Sequence, residues 1–179
     1  NELDGELDMA AMEKAELIGF HISPNSGRVP PDGKHLIRRA RQARELQRRL
    51  QVPMVLLHPF TMRAENIVNR TLKEGRPVKD IPASEFRFFQ PGEQEELAQV
   101  LRGSSVYVEI ARSTGGCFRM PACREAMIAD IRPLVAAGVQ FTVSTDNHSV
   151  EAARIPFDPH SYCDALGVTL ANTNTIIRE

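Results

Sequence analysis

Four residues whose chemistry suits a divalent cation stand at the ends of apolar runs: His21, His58, Asp146 and His148. The sharpest case is the stretch Phe141-Thr142-Val143-Ser144-Thr145-Asp146-Asn147-His148-Ser149, a β-branched run that stops abruptly in a carboxylate and an imidazole. Residues two apart on a strand point to the same side, so Asp146 and His148 can face one point. Hard carboxylate oxygen with imidazole nitrogen suits zinc or manganese. Taken alone, the triplet is more simply an Asx-type turn closing a strand, with His148 exposed. Repetition favours the metal reading, because Glu16-Leu17-Ile18-Gly19-Phe20-His21 and Val52-Pro53-Met54-Val55-Leu56-Leu57-His58 end in the same way.

The elements that must position these residues follow from periodicity. Strands are expected at about residues 16–21, 53–58, 105–111 and 139–145, with a last one over Val168 to Ala171. Between them, helical spacing predicts amphipathic helices over 34–50, 91–102 (opened by Pro91) and 121–137 (with Pro133 inside), and shorter ones near 9–15, 63–73 and 159–166. The helix over 34–50 has the apolar stripe Leu36, Ile37, Ala40, Ala43, Leu46 and Leu50. Its other face carries Arg38, Arg39, Arg41, Arg44, Arg48 and Arg49, which reads as a solvated outer surface since no aromatics interleave it. Ser23 to Gly33, most of Phe60 to Gln90 and the Gly-containing Arg112 to Met120 are expected to be loops. The order β-α-β-α-β-α-β implies an α/β fold with a parallel sheet. Near-continuously apolar strands suit a sheet buried on both faces. Chemistry in such folds gathers at the strands' carboxyl ends, where all four candidate ligands fall.

Composition sets the outer bounds. The 179 residues suit one domain with a real core. Hydrophobic residues make up 42% and charged residues 25%, as in a globular protein that needs no membrane. A net charge of −1 argues for neither a nucleic acid nor an anionic lipid surface as partner. No apolar run approaches the roughly 20 residues of a membrane span, and the acidic start Asn1 to Asp8 is unlike the basic head of a signal peptide. Cys117, Cys123 and Cys163 are odd in number and lack CxxC spacing, which fits a reduced, cytoplasmic setting.

Taken in order, five stretches resemble the polymerase-and-histidinol-phosphatase (PHP) superfamily, and within it the stand-alone phosphoesterases with a trinuclear metal centre. They are Asp4-Gly5-Glu6-Leu7-Asp8, Leu17-Ile18-Gly19-Phe20-His21, Leu57-His58-Pro59, Val108-Glu109-Ile110 and Ser144-Thr145-Asp146-Asn147-His148-Ser149. The resemblance implies a distorted (β/α)7 barrel. It implies that His21 and His58 bind one metal, Asp146 a second and His148 a third. Zinc is the expected ion, with manganese, iron or magnesium as substitutes. The loop after Glu109 resembles one that contacts substrate phosphate in the family, which makes Arg119 the implied phosphate clamp and Arg112 the next candidate. Glu109 is expected to be a buried acid bonded to neighbouring backbone, whose functional form is to orient a ligand.

The family's opening His-x-His strand, its further histidines and its bridging glutamate have no counterpart here, and Ala111 stands where the family often has Asn. The chain therefore resembles the C-terminal part of a PHP barrel. Its four strands are expected to need completion, by an N-terminal segment or by a second copy of the chain. The implied activity is hydrolysis of a small phosphorylated substrate by metal-activated water. An amidohydrolase-type metal hydrolase and a PHP-like scaffold without catalysis are the competing classes. No nucleophilic cysteine is required, and Cys117 has no base at recognisable spacing. His35 and His160 match no motif, and His160 is expected at the surface.

Overall fold

The computed structural model describes residues 9–22, 31–145, 154 and 158–173. Its centre is a four-stranded, all-parallel sheet in the order β1-β2-β3-β4. The strands are β1 (Ile18–His21), β2 (Met54–Leu57), β3 (Val106–Ala111) and β4 (Phe141–Ser144), at the four positions that their apolar runs indicate. Register aligns His21 with Leu57, Leu56 with Val108, and Glu109 with Thr142. A consecutive order joined by crossovers of one hand puts every crossover on the same face of the sheet. Met54, Leu56, Val106, Val108, Ile110 and Phe141 fill that face, and all are buried. Gly19, Val55, Leu57, Glu109, Thr142 and Ser144 alternate with them and line a cavity on the other face.

The helices are α1 (Met9–Met12), α2 (Gly33–Leu50), α3 (Pro59–Lys73), α4 (Ala83–Phe86), α5 (Glu93–Leu101), α6 (Thr114–Phe118), α7 (Pro121–Ala136) and α8 (His160–Leu166), with a 3-10 turn at Val78–Asp80. The predicted apolar stripe of α2 is buried in full. Asp32 caps its start, accepting the His35 backbone N–H at 2.9 Å. Gly33 sits so close to the next layer that a Cβ would come within 2.2 Å of Glu93 Oε2. Among the described residues, no helix is long and apolar enough to cross a membrane.

Several local expectations need correction. Helix α3 starts at Pro59 rather than near 63, because His58 turns the chain directly out of β2. Helix α5 starts at Glu93, not Pro91. Gly92, at φ 86°, reverses the chain first, and the Glu93 carboxylate folds back to accept the Gln90 N–H at 2.8 Å. The Arg112–Met120 loop contains the short helix α6. Val168 to Ala171 is not a strand; Thr173 instead makes a single parallel bridge to Phe141 on the outer edge of β4.

The arginine face of α2 is only partly a solvated surface. Helix α5 packs along it, so Arg44 donates to the carbonyls of Val100 (2.5 Å) and Arg102 (3.1 Å), groups that the end of α5 leaves without helical partners. Arg39 is buried, its guanidinium 5.7 Å from the centre of the Phe20 ring. His35 also has a structural job: its Nε2 lies 2.5 Å from the Ile22 carbonyl, and Arg38 donates to its Nδ1 at 3.0 Å. Desolvation is the main reason its pKa falls below the usual value.

A second buried acid ties the helical layer together. Asp130 of α7 accepts the Phe88 backbone N–H at 2.6 Å and the Arg87 Nε–H at 2.7 Å. Burial nonetheless raises its pKa above the ordinary carboxylate range. The tie fixes the approach of Phe88 and Phe89, which pack edge-on against Phe60 with centroids 5.3 and 6.3 Å away. Asp130→Ala leaves a buried N–H without an acceptor and should cost about 1–3 kcal/mol. Urea unfolding checks this: the midpoint should drop, with Asp130→Asn falling less because an amide oxygen still accepts from Phe88.

Candidate metal centre

The strand ends put two of the predicted ligands side by side. His21 is the last residue of β1, and His58 follows the last residue of β2. Their rings lie edge to face, with centroids 5.6 Å apart and planes at 70°. His58 adopts a left-handed backbone, φ 55° and ψ 31°. For a residue with a Cβ this conformation costs about 1–3 kcal/mol and persists only where surroundings enforce it.

Glu109 is what enforces it. It lies on the cavity face of β3 and is buried. Its Oε2 accepts the His58 backbone N–H at 2.7 Å and stands 2.8 Å from His58 Nδ1. Its Oε1 accepts the Ser144 hydroxyl at 2.5 Å. Burial alone would raise the Glu109 pKa, but the bonds from His58 and Ser144 outweigh it and hold the carboxyl below its usual range. Oε2 lies 2.8 Å from Nδ1, at ion-pair distance but off the line of an N–H bond, so its negative charge rather than a formed bond favours the proton on Nδ1, which leaves the Nε2 lone pair for a metal or a proton. The predicted backbone-bonded acid at Glu109 is therefore also the group that orients His58. Ser144 is committed to Glu109 rather than to His58, so the trio is not a serine-nucleophile arrangement.

Imidazole nitrogen is a suitable donor for zinc or manganese, and the described residues bring two imidazole rings together, of which His58 stands beside a carboxylate. No group of three or more His, Cys, Asp or Glu side chains is placed to hold a metal among the described residues. Asp146 and His148 lie outside them. Thr145, the residue before Asp146, lines the same cavity as His58 and Glu109. Arg119 is exposed at the end of α6 and is not one of the residues lining that cavity, while Arg112 is half-buried where the chain leaves β3.

The cavity encloses about 1000 Å³ between the sheet and residues 159–173. Ser144, His160, Cys163 and Asp164 line it, although none stood out in the sequence. Alternation along β4 could have flagged Ser144, two residues before Asp146. Nothing local could have flagged His160, because its place depends on how α8 returns to the sheet. The Cys163 thiol is pushed up to about 11, chiefly by burial, and is therefore a poor nucleophile near neutral pH. Cys117 is buried outside the cavity and exchanges a hydrogen bond with Cys123. All three cysteines are free.

Because the folded Glu109 pKa is depressed, its stabilisation is complete above the ordinary value of 4.5 and is lost as pH falls through the folded one. Glu109→Gln keeps the shape and removes the charge. It should cost about 1–3 kcal/mol near pH 7, and its gap from the parent should close as the parent's own carboxylate becomes protonated. Denaturant midpoints at neutral and acid pH measure this; a gap that widens on acidification would reverse the sign argued here.

Comparison of the chain with protein-family models, with curated proteins and with solved structures finds no match.

Proposed function

We propose that the chain forms the metal-binding part of a phosphoesterase that hydrolyses a phosphate ester with metal-activated water. The observation that carries this reading is the His21–His58 pair, with His58 held by the buried Glu109 so that Nε2 keeps its lone pair. The PHP-like stretches named above support it from the side of sequence. His21 and His58 serve as ligands of one ion, and Asp146 and His148 as ligands of others. Bound divalent cations supply polarisation of the phosphate and a more acidic water. Glu109 keeps His58 in its tautomer and orientation, and Ser144 donates a hydrogen bond to the second carboxylate oxygen. Arg119 is the proposed partner of the phosphate charge. In this reading the sheet belongs to a distorted (β/α)7 barrel whose remaining strands come from an N-terminal segment or a second copy of the chain. The three free thiols fit a reducing, cytoplasmic setting.

The test joins metal content with turnover. Protein completed by that N-terminal segment or second copy, incubated with zinc or manganese, should retain metal and hydrolyse 4-nitrophenyl phosphate. His21→Gln and His58→Gln should each lower metal content, and Glu109→Ala should weaken metal affinity about 10–100-fold. Arg119→Ala should raise KM with metal content unchanged. Metal content unaffected by either histidine change would sink the proposal, and hydrolysis of cyclic amides in place of phosphate esters would favour the amidohydrolase class.

A further inference from the structure

Two of the three cysteines touch each other. Cys117 stands in the last turn of α6 and Cys123 in the first turn of α7, with Met120 extended between the two helices. Their thiols are hydrogen-bonded and both residues are buried, Cys117 at 7% and Cys123 at 1% exposure. Gly116 and Arg119, close to Cys117 in the chain, are exposed, so the pair lies just beneath the surface. The bond makes the two sulfurs unequal. Donation from the Cys123 S–H holds the Cys117 thiol below its ordinary value in spite of burial, while the same bond and burial push Cys123 up. Cys117 is therefore the sulfur that ionises first, with a neutral thiol already beside it. Two sulfurs in such contact need a shift of only about 1–2 Å to reach disulfide bonding distance.

Helix α6 joins this pair to the rest of the structure. Thr114 at its start meets Thr61 of α3, hydroxyl to hydroxyl, at 3.2 Å. A Cβ on Gly115 would come within 3.3 Å of the Tyr162 ring of α8, and the Phe118 ring lies 6.3 Å from that ring, centroid to centroid. We infer that Cys117 and Cys123 are a reversible redox pair, which hydrogen peroxide closes to a disulfide that clamps α6 onto α7. The Cys117 thiolate attacks peroxide and breaks the O–O bond. It keeps one oxygen as a sulfenic acid, and the other leaves as hydroxide, which the proton lost by Cys117 turns to water. The Cys123 sulfur then attacks that of Cys117: the S–S bond forms, the S–O bond breaks, and hydroxide departs with the Cys123 proton as a second water. Two electrons pass from the sulfurs to peroxide, and a dithiol reductant returns them.

Peptide mapping tests this. Native protein is exposed to a small excess of hydrogen peroxide, alkylated in denaturant and cut with trypsin, which cleaves after Arg112, Arg119 and Arg124 and so leaves the two cysteines on separate peptides. Peptides 113–119 and 120–124 should appear joined within one chain, with Cys163 alkylated, and dithiothreitol should separate them. Cys123→Ser should leave Cys117 as a sulfenic acid that dimedone labels, whereas Cys117→Ser should leave Cys123 unlabelled. Amide exchange over residues 114–119 should slow about tenfold in the oxidised protein. Three alkylated thiols after the peroxide treatment overturn the inference, and so does a bridge that uses Cys163 or joins two copies. Unchanged exchange over α6 overturns the clamp.

Discussion

The Glu109 carboxylate is the point on which the sheet and the candidate site both depend. A buried charge is costly unless its oxygens are satisfied, and Glu109 is satisfied only when three strand ends are in place. Its partners are the His58 main chain and ring after β2 and the Ser144 hydroxyl on β4. A one-residue slip of β3 would turn Glu109 into the apolar helical layer and leave His58 unsupported. The same bonds that align the strands therefore set the tautomer of His58 and hold its left-handed backbone. Stability and site geometry are coupled through one side chain.

The consecutive strand order explains why one face of the sheet is closed and the other open. Helices α2, α5 and α7 form a continuous layer over Met54, Leu56, Val106, Val108 and Ile110. Arg44 and Asp130 stitch that layer by pairing groups that helix ends and loops leave free. The opposite face carries smaller and more polar residues (Gly19, Thr142, Ser144) and opens onto the cavity. Gly19 contributes directly, because a Cβ there would lie 2.8 Å from Leu57 Cδ1 and narrow the floor. One face is thus built for packing and the other for contents.

Buried acids and exposed arginines divide unevenly between structure and chemistry. Asp130 and Glu109 are both buried carboxylates that accept backbone N–H bonds, yet their pKa values move in opposite directions. Desolvation prevails at Asp130, despite Arg87 beside it. At Glu109 the bonds from His58 and Ser144 prevail. Glu109 also stands 2.8 Å from the His58 ring, whereas the side chain beside Asp130 is an arginine.

The positions of β1 to β4, the α/β class and the buried stripe of α2 were legible in the sequence, because apolar runs and helical spacing are local signals that burial enforces. So was the placement of His21 and His58 at strand ends. The boundaries at Glu93, Pro59 and Thr114 were not, since they turn on Glu93 folding back, His58 entering the left-handed region and a glycine-rich stretch coiling against α7. The solvated reading of the α2 arginines missed α5, fifty-odd residues on along the chain (Arg41 to Glu96, 2.6 Å). The Glu109–His58–Ser144 bonds, and the presence of His160 and Asp164 on the same cavity, were decided by tertiary structure alone. They join residues from separate strands and a returning helix, and only the packed register brings such distant residues to hydrogen-bonding distance.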